Sequence, residues 1–167
     1  MPLLSYTIAL FHSTFAEKEH SMHDTPFATG CCRCGRIKIS ISDKPVMSSQ
    51  CHCKDCQRLS GTGHFSLAFF EEESVTITGE AKGYTVITDR GNRNTRYFCP
   101  ECGSRMYGIN TGRPGKIAVP VGCLDDHSWY QPDVVVYTRM REDWDITRTD
   151  IPNFEEMPPP PPDSPTA

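Results

Sequence analysis

Cys51-His52-Cys53-Lys54-Asp55-Cys56 is the stretch on which the reading of this chain turns. Two more groups accompany it, Cys31, Cys32 and Cys34 before it and Cys99 with Cys102 after it, so that eight of nine cysteines are clustered. Scattered core cysteines do not gather this way. A C-x-C or C-x-x-C turn places two sulfurs on one side of a tight loop, and a closed tetrahedral zinc site with Zn–S of ~2.3 Å takes two such turns. Cys99-Pro100-Glu101-Cys102-Gly103 reads as one knuckle, in which Gly103 permits the turn that aims backbone N–H groups at the sulfurs. Cys32-Arg33-Cys34-Gly35 has the same form.

Other chemistries fit less well. A redox C-x-x-C belongs beside a βαβ pattern, which is absent, and no C-x-x-C is followed by the His of a haem attachment site. An iron–sulfur cluster stays open as a minor alternative. The odd cysteine count would leave one thiol unpaired in a disulfide framework, and no N-x-S/T sequon points to secretion, so reduced thiols are expected. Spacing does not decide which groups share a metal. Cys53 and Cys56 with Cys99 and Cys102 would make a zinc ribbon, although the intervening Gln57 to Phe98 far exceeds a loop of ~15 to 20 residues. Cys32, Cys34, Cys99 and Cys102 would instead leave Cys51, Cys53 and Cys56 as a trio, the ligand count of a catalytic site with one open position.

Outside the cysteines the period is two. Ile37, Ile39 and Ile41 alternate with polar residues, as Val75 and Ile77 do within Glu73 to Thr78. Further β-prone runs lie at His64 to Phe70, Tyr84 to Thr88, Thr95 to Phe98, Arg105 to Ile109, Lys116 to Val121 and Val134 to Thr138, punctuated by Gly, Asp, Asn or Pro. Eight strands and one short helix, about Lys54 to Leu59 and ended by Gly61, predict a mainly β domain over residues 26–156. Residues 1–25 read as a disordered or loosely docked extension, with Met22 a possible alternative start. The proline run within residues 157–167 reads as a solvated tail. A net charge of −4 over 167 residues gives no basic face for nucleic acid, and no apolar run approaches the ~18 residues of a membrane span. A soluble, cytoplasmic protein is expected, with its oligomeric state unspecified.

Gly30-Cys31-Cys32-Arg33-Cys34-Gly35, the Cys51 to Cys56 stretch with Ser60-Gly61, and Phe98-Cys99-Pro100-Glu101-Cys102-Gly103-Ser104 together resemble the glutathione-dependent formaldehyde-activating family, which includes centromere protein V. The resemblance runs from about Thr25 to Glu156 and takes in Val121 to Asp126, Trp144 and Ile151-Pro152-Asn153-Phe154. It implies a β-tent fold and two zinc ions per chain. By resemblance Cys32, Cys34, Cys99 and Cys102 hold a structural zinc, and Cys51, Cys53 and Cys56 a catalytic one. Cys31 stands where the family commonly has glycine, free or able to exchange with Cys32.

Three thiolates and Zn²⁺ sum to −1, a centre too electron-rich to favour hydrolysis through zinc hydroxide. It suits binding an incoming thiol as thiolate, below a free pKa of ~8.5, beside a carbonyl compound. The resemblance implies a carbon–sulfur lyase joining glutathione and formaldehyde, with small-molecule thiol and aldehyde as partners. A non-catalytic interaction module of the centromere protein V type is the alternative, as is a zinc enzyme for another small substrate. Few cations in the tails weigh against the module. His52, between two proposed ligands in an extended C-H-C, should point away from their metal. His64 reads as a solvated strand-end residue that could reach the open site. Glu71 to Glu73 read as a solvated turn, Asp125 and Asp126 as turn caps, Cys123 as a small buried hydrophobe, and no catalytic carboxylate is assigned.

Overall fold

The computed structural model describes residues 25–159. Nearly all of the expected N-terminal extension and the end of the proline-rich tail therefore lie outside the described residues. Within them the chain is mainly β with one α-helix. A three-stranded antiparallel sheet is ordered β1 (Ala28–Cys31), β2 (Lys38–Ile41) and β5 (Val75–Thr78). The Ile39 and Ile41 faces of β2 turn inward, as alternation requires, and join Ile37 in the main core with Phe70, Met106 and Val119. Each of these large apolar side chains contributes about 1.5–3 kcal/mol on burial.

An eight-stranded sheet carries the rest. Its centre is β3 (Met47–Cys51), β4 (Phe65–Glu71), β9 (Lys116–Pro120) and β8 (Arg105–Asn110), and one edge is completed by β7 (Arg93–Phe98) and β6 (Lys82–Ile87). On the other side β10 (Val134–Val136) pairs with β3, and β11 (Asn153–Phe154) with β10; these two pairings are parallel, while the rest of both sheets is antiparallel. All eight expected strands are present. Three others were not expected, and β3 shows why. Ser48 and Ser49 are buried in it, the Ser48 amide donating to Asp133 Oδ2 at 2.7 Å and the Ser49 carbonyl accepting from the Tyr130 hydroxyl at 2.9 Å. Satisfied polar groups let a strand without apolar alternation sit inside.

Helix α1 (Lys54–Ser60) follows β3 directly and ends at Gly61, whose φ of 72° is the left-handed cap expected there. Its packing on β4 places it against the eight-stranded sheet, where it carries Cys56 inward. None of the described helices is long and apolar enough to cross a membrane.

Candidate metal centres

The sulfurs of Cys32, Cys34, Cys99 and Cys102 converge within 4.8 Å of one another. Their proximity comes from two matching loops. Cys32 N–H donates to the Ile37 carbonyl and Ile37 N–H to Cys32 Sγ, while Gly35, at φ 76°, turns the chain so that its amide reaches the Cys32 carbonyl. Gly103, at φ 74°, does the same for the Cys99 carbonyl, and Cys99 N–H donates to Ser104. Ser104 Oγ joins the loops by accepting from Arg33 N–H at 3.0 Å and lying 3.3 Å from Cys102 Sγ. That serine, by its side chain first, holds Cys102 down at about 5. Sulfur separations of 3.4 Å (Cys32 to Cys34) and 3.7 Å (Cys34 to Cys99) approach the tetrahedron edge of ~3.8 Å that four Zn–S bonds define. Four converging soft donors at that spacing fit a tetrahedral metal ion. Cys32 and Cys99, 0% and 1% exposed, lie inside the main core.

Cys51, Cys53 and Cys56 form the second convergence, again within 4.8 Å. Cys51 ends β3, Cys53 is the N-cap of α1 and Cys56 sits in its first turn. The cap is itself a thiol: Cys53 Sγ accepts from Cys56 N–H at 3.4 Å, and its carbonyl accepts from Gln57 N–H. Gln57 Nε2 donates to the carbonyls of His52 and Met140, both at 2.8 Å, which ties the trio's loop to the turn Thr138–Met140 that follows Val136. Cys51 first and Cys56 second donate to Cys53 and hold its pKa at about 2. The bond to Cys53 in turn pushes Cys51 up to about 12, and Cys51 first and Cys53 second push Cys56 upward as well. One thiol thus ionises readily while its neighbours resist, and a bound cation is what would favour all three thiolates at once. Among the described residues no fourth His, Cys, Asp or Glu joins this group.

A third cluster, His52, His64 and Asp145, lies behind the trio's loop. His52 is fully buried, with Nδ1 3.1 Å from the Gly63 carbonyl and 3.2 Å from Asp145 Oδ2. A carbonyl accepts only, so the His52 proton is on Nδ1. Burial outweighs Asp145 and lowers the His52 pKa, leaving a neutral ring. His64 Nδ1 is 2.9 Å from both Asp145 oxygens, and its Nε2 lies 3.3 Å from Gln50 Nε2, which donates to it. With both Nδ1 atoms acting as donors, the cluster is joined as a hydrogen-bonded strut through Asp145. His64 is consequently partnered, not the solvated residue expected.

A sequence profile described as "Glutathione-dependent formaldehyde-activating enzyme" matches residues 27–140, more than half of the chain. The chain belongs to this family. A crystal structure of a Rhodobacter sphaeroides protein is similar over 60% of this chain and 90% of its own, at 20% identity and a TM-score of 0.48.

In this formaldehyde-activating family member either cysteine cluster could hold a metal ion, and their donor sets suit zinc. Cys31 lies exposed on β1, outside both clusters. Cys123 packs against the main core, and burial pushes its thiol up to about 12. Glu71 pairs with Lys116, so the acidic run is only partly solvated; Asp126 caps the turn to Ser128, and Asp125 accepts from Thr29 Oγ1. Asp145 is the residue that sequence reasoning missed. It is 81 residues from His64, and no spacing motif connects them.

Proposed function

We propose that the chain is a zinc-dependent carbon–sulfur lyase of the S-(hydroxymethyl)glutathione synthase type, joining a thiol, glutathione by family, to a small aldehyde such as formaldehyde. The supporting observation is that three cysteine sulfurs converge with no fourth protein ligand among the described residues. Cys51, Cys53 and Cys56 would hold the catalytic metal, and Cys32, Cys34, Cys99 and Cys102 a structural one. Zinc in the trio would supply one coordination position for a thiol, whose pKa it lowers on binding as thiolate.

The protein's own part is to hold and screen. Cys56 N–H, by donating to Cys53 Sγ, tempers one ligand's charge, and Gln57 fixes the loop on both sides. The His52–Asp145–His64 strut sets the direction of the Cys51 to Cys53 backbone from behind. In the reaction the thiol proton leaves to solvent, sulfur adds to the carbonyl carbon, and the former carbonyl oxygen takes a proton from solvent.

Cobalt in place of zinc makes the first event visible. Glutathione should strengthen sulfur-to-metal charge transfer saturably in the full chain, the change should vanish in Cys56→Ala, and formaldehyde should perturb it again. Glutathione and formaldehyde should also be converted faster with zinc-loaded protein than without it. Spectra unmoved at millimolar glutathione would refute the thiol mechanism and favour the interaction-module reading.

A further inference from the structure

The strand pair β7 and β8 carries an irregularity with a chemical consequence. Tyr97 pairs with Tyr107, yet Phe98 pairs with Arg105, so the register slips by one residue at a bulge. Partners across a ladder share a face, and residues two apart on one strand do too. Arg105, two residues from Tyr107 on β8, is thereby paired with Phe98, two residues from Arg96 on β7, and the two arginines meet at one cleft. Both guanidiniums, with Asn94, Tyr107 and Phe65, line a cleft of ≈ 60 Å³ whose wall is completed by Cys56 of the trio.

These two cations are sparsely paired with carboxylates, and the other anionic group acting on Arg105 is Cys56 of the trio. Arg96, whose side chain is 11% exposed, makes one contact to a carboxylate, 3.2 Å to Asp55, itself 53% exposed. Arg105 is half-buried, no carboxylate pairs with it among the described residues, and its buried Nε has no hydrogen-bond partner. Burial first, and then Arg96, pull the Arg105 pKa down to about 10, the physical trace of like charges held together out of water. A desolvated cation without a partner is costly, and a guanidinium fork matches a carboxylate in a bidentate pair. The cleft also continues along the sheet. An adjoining space of ≈ 70 Å³ shares Asn94, Gly108, Leu67 and Ala118 with it and reaches Arg113, which lies 4.7 Å above the Phe69 ring.

We propose that Arg96 and Arg105 form an anion subsite that seizes a carboxylate of the incoming thiol and orients its sulfur toward Cys51, Cys53 and Cys56. The proposal rests on the thiol reading of the trio and assigns the residues that select a carboxylate-bearing thiol over a neutral one, the groove running on toward Arg113. A neutral thiol would reach the same metal position without the clamp. Arg105 is here a specificity residue, acting on the part of the substrate remote from the reacting carbon.

The test uses cobalt-loaded full-length protein and charge-transfer titration with glutathione, 3-mercaptopropionate and 2-mercaptoethanol, affinities being referred to each thiolate form. Wild type should bind the two carboxylate thiols roughly tenfold or more tighter than the neutral one, the yield of one charge-assisted pair. Arg105→Met should abolish that preference while leaving 2-mercaptoethanol within about twofold, and Arg105→Lys should restore part of it. Arg96→Met repeats the comparison, and metal content with circular dichroism establishes that each variant is folded. If Arg105→Met weakens all three thiols equally, the arginine only balances the charge of the metal centre and the proposal is overturned. Equal affinity of wild type for all three overturns it too, while the thiol reading stands. Silence toward every thiol overturns both.

Discussion

Cys99→Ala and Cys56→Ala each delete one buried sulfur, yet they should have very different consequences. Cys99 is 1% exposed and lies in the main core with Cys32, Ile37 and Met106, whereas Cys56 belongs to a smaller cluster with Cys51 and Val136. A structural zinc site contributes an apparent ~10–16 kcal/mol, against a net folding stability of ~5–15 kcal/mol. Losing the Cys32–Cys34–Cys99–Cys102 metal therefore removes as much as the whole domain has in reserve. Cys56→Ala removes about as much as one buried methyl group, about 1 kcal/mol, or roughly 3–5 °C in Tm for a domain of this size. Loss of the trio's metal adds to this, but the helix cap from Cys53 loses no sulfur and the main core is untouched. Elemental analysis and thermal melts followed by circular dichroism read both effects. Wild type should carry close to two zinc ions per chain, Cys56→Ala close to one with a cooperative melt, and Cys99→Ala no cooperative melt at all. The reverse ranking would exchange the structural and catalytic assignments. Two intact variants with unchanged metal would refute the four-and-three partition.

Two further outcomes follow from the strut behind the trio. A Cβ on Gly63 would lie 2.2 Å from Asp145 Oδ2 and 2.5 Å from its Cβ, so Gly63→Ala should expel the carboxylate from both histidines. Overpacking and lost hydrogen bonds together should cost about 2–4 kcal/mol in urea unfolding, and a loss below about 0.5 kcal/mol would show the strut to be dispensable. The His52 pKa is depressed by burial, so below its ordinary value of 6.5 the unfolded chain takes up a proton that the folded chain does not. That contribution to stability is complete above pH 6.5 and declines as pH falls through the folded pKa. Nitrogen-15 spectra should show the Nδ1–H tautomer of His52 persisting below pH 6.5; a midpoint at or above 6.5 would contradict the burial argument.

The alternating isoleucines of β2 and the β-prone runs were legible because each strand buries one face, and α1 because Gly61 marks its end. The cysteine groups were legible because metal ligation demands short fixed spacings. β1, β3 and β11 were not, since β3 satisfies its buried serines through Asp133 and Tyr130, partners that no local pattern announces. What the sequence by itself determined, then, was local: the strand periodicity, the two turns with glycine after the second cysteine, and the sulfurs each loop presents. Which loops meet was decided only in three dimensions, where Cys34 comes 3.7 Å from Cys99 across 65 residues and Asp145 reaches His64 across 81. Arg96 and Arg105 likewise come to one cleft from two different strands, across a one-residue slip in their pairing. Short-range pattern encodes what the backbone does within a turn, whereas partners distant along the chain are chosen by how whole strands pair, and a single sequence carries no periodic signal for that choice.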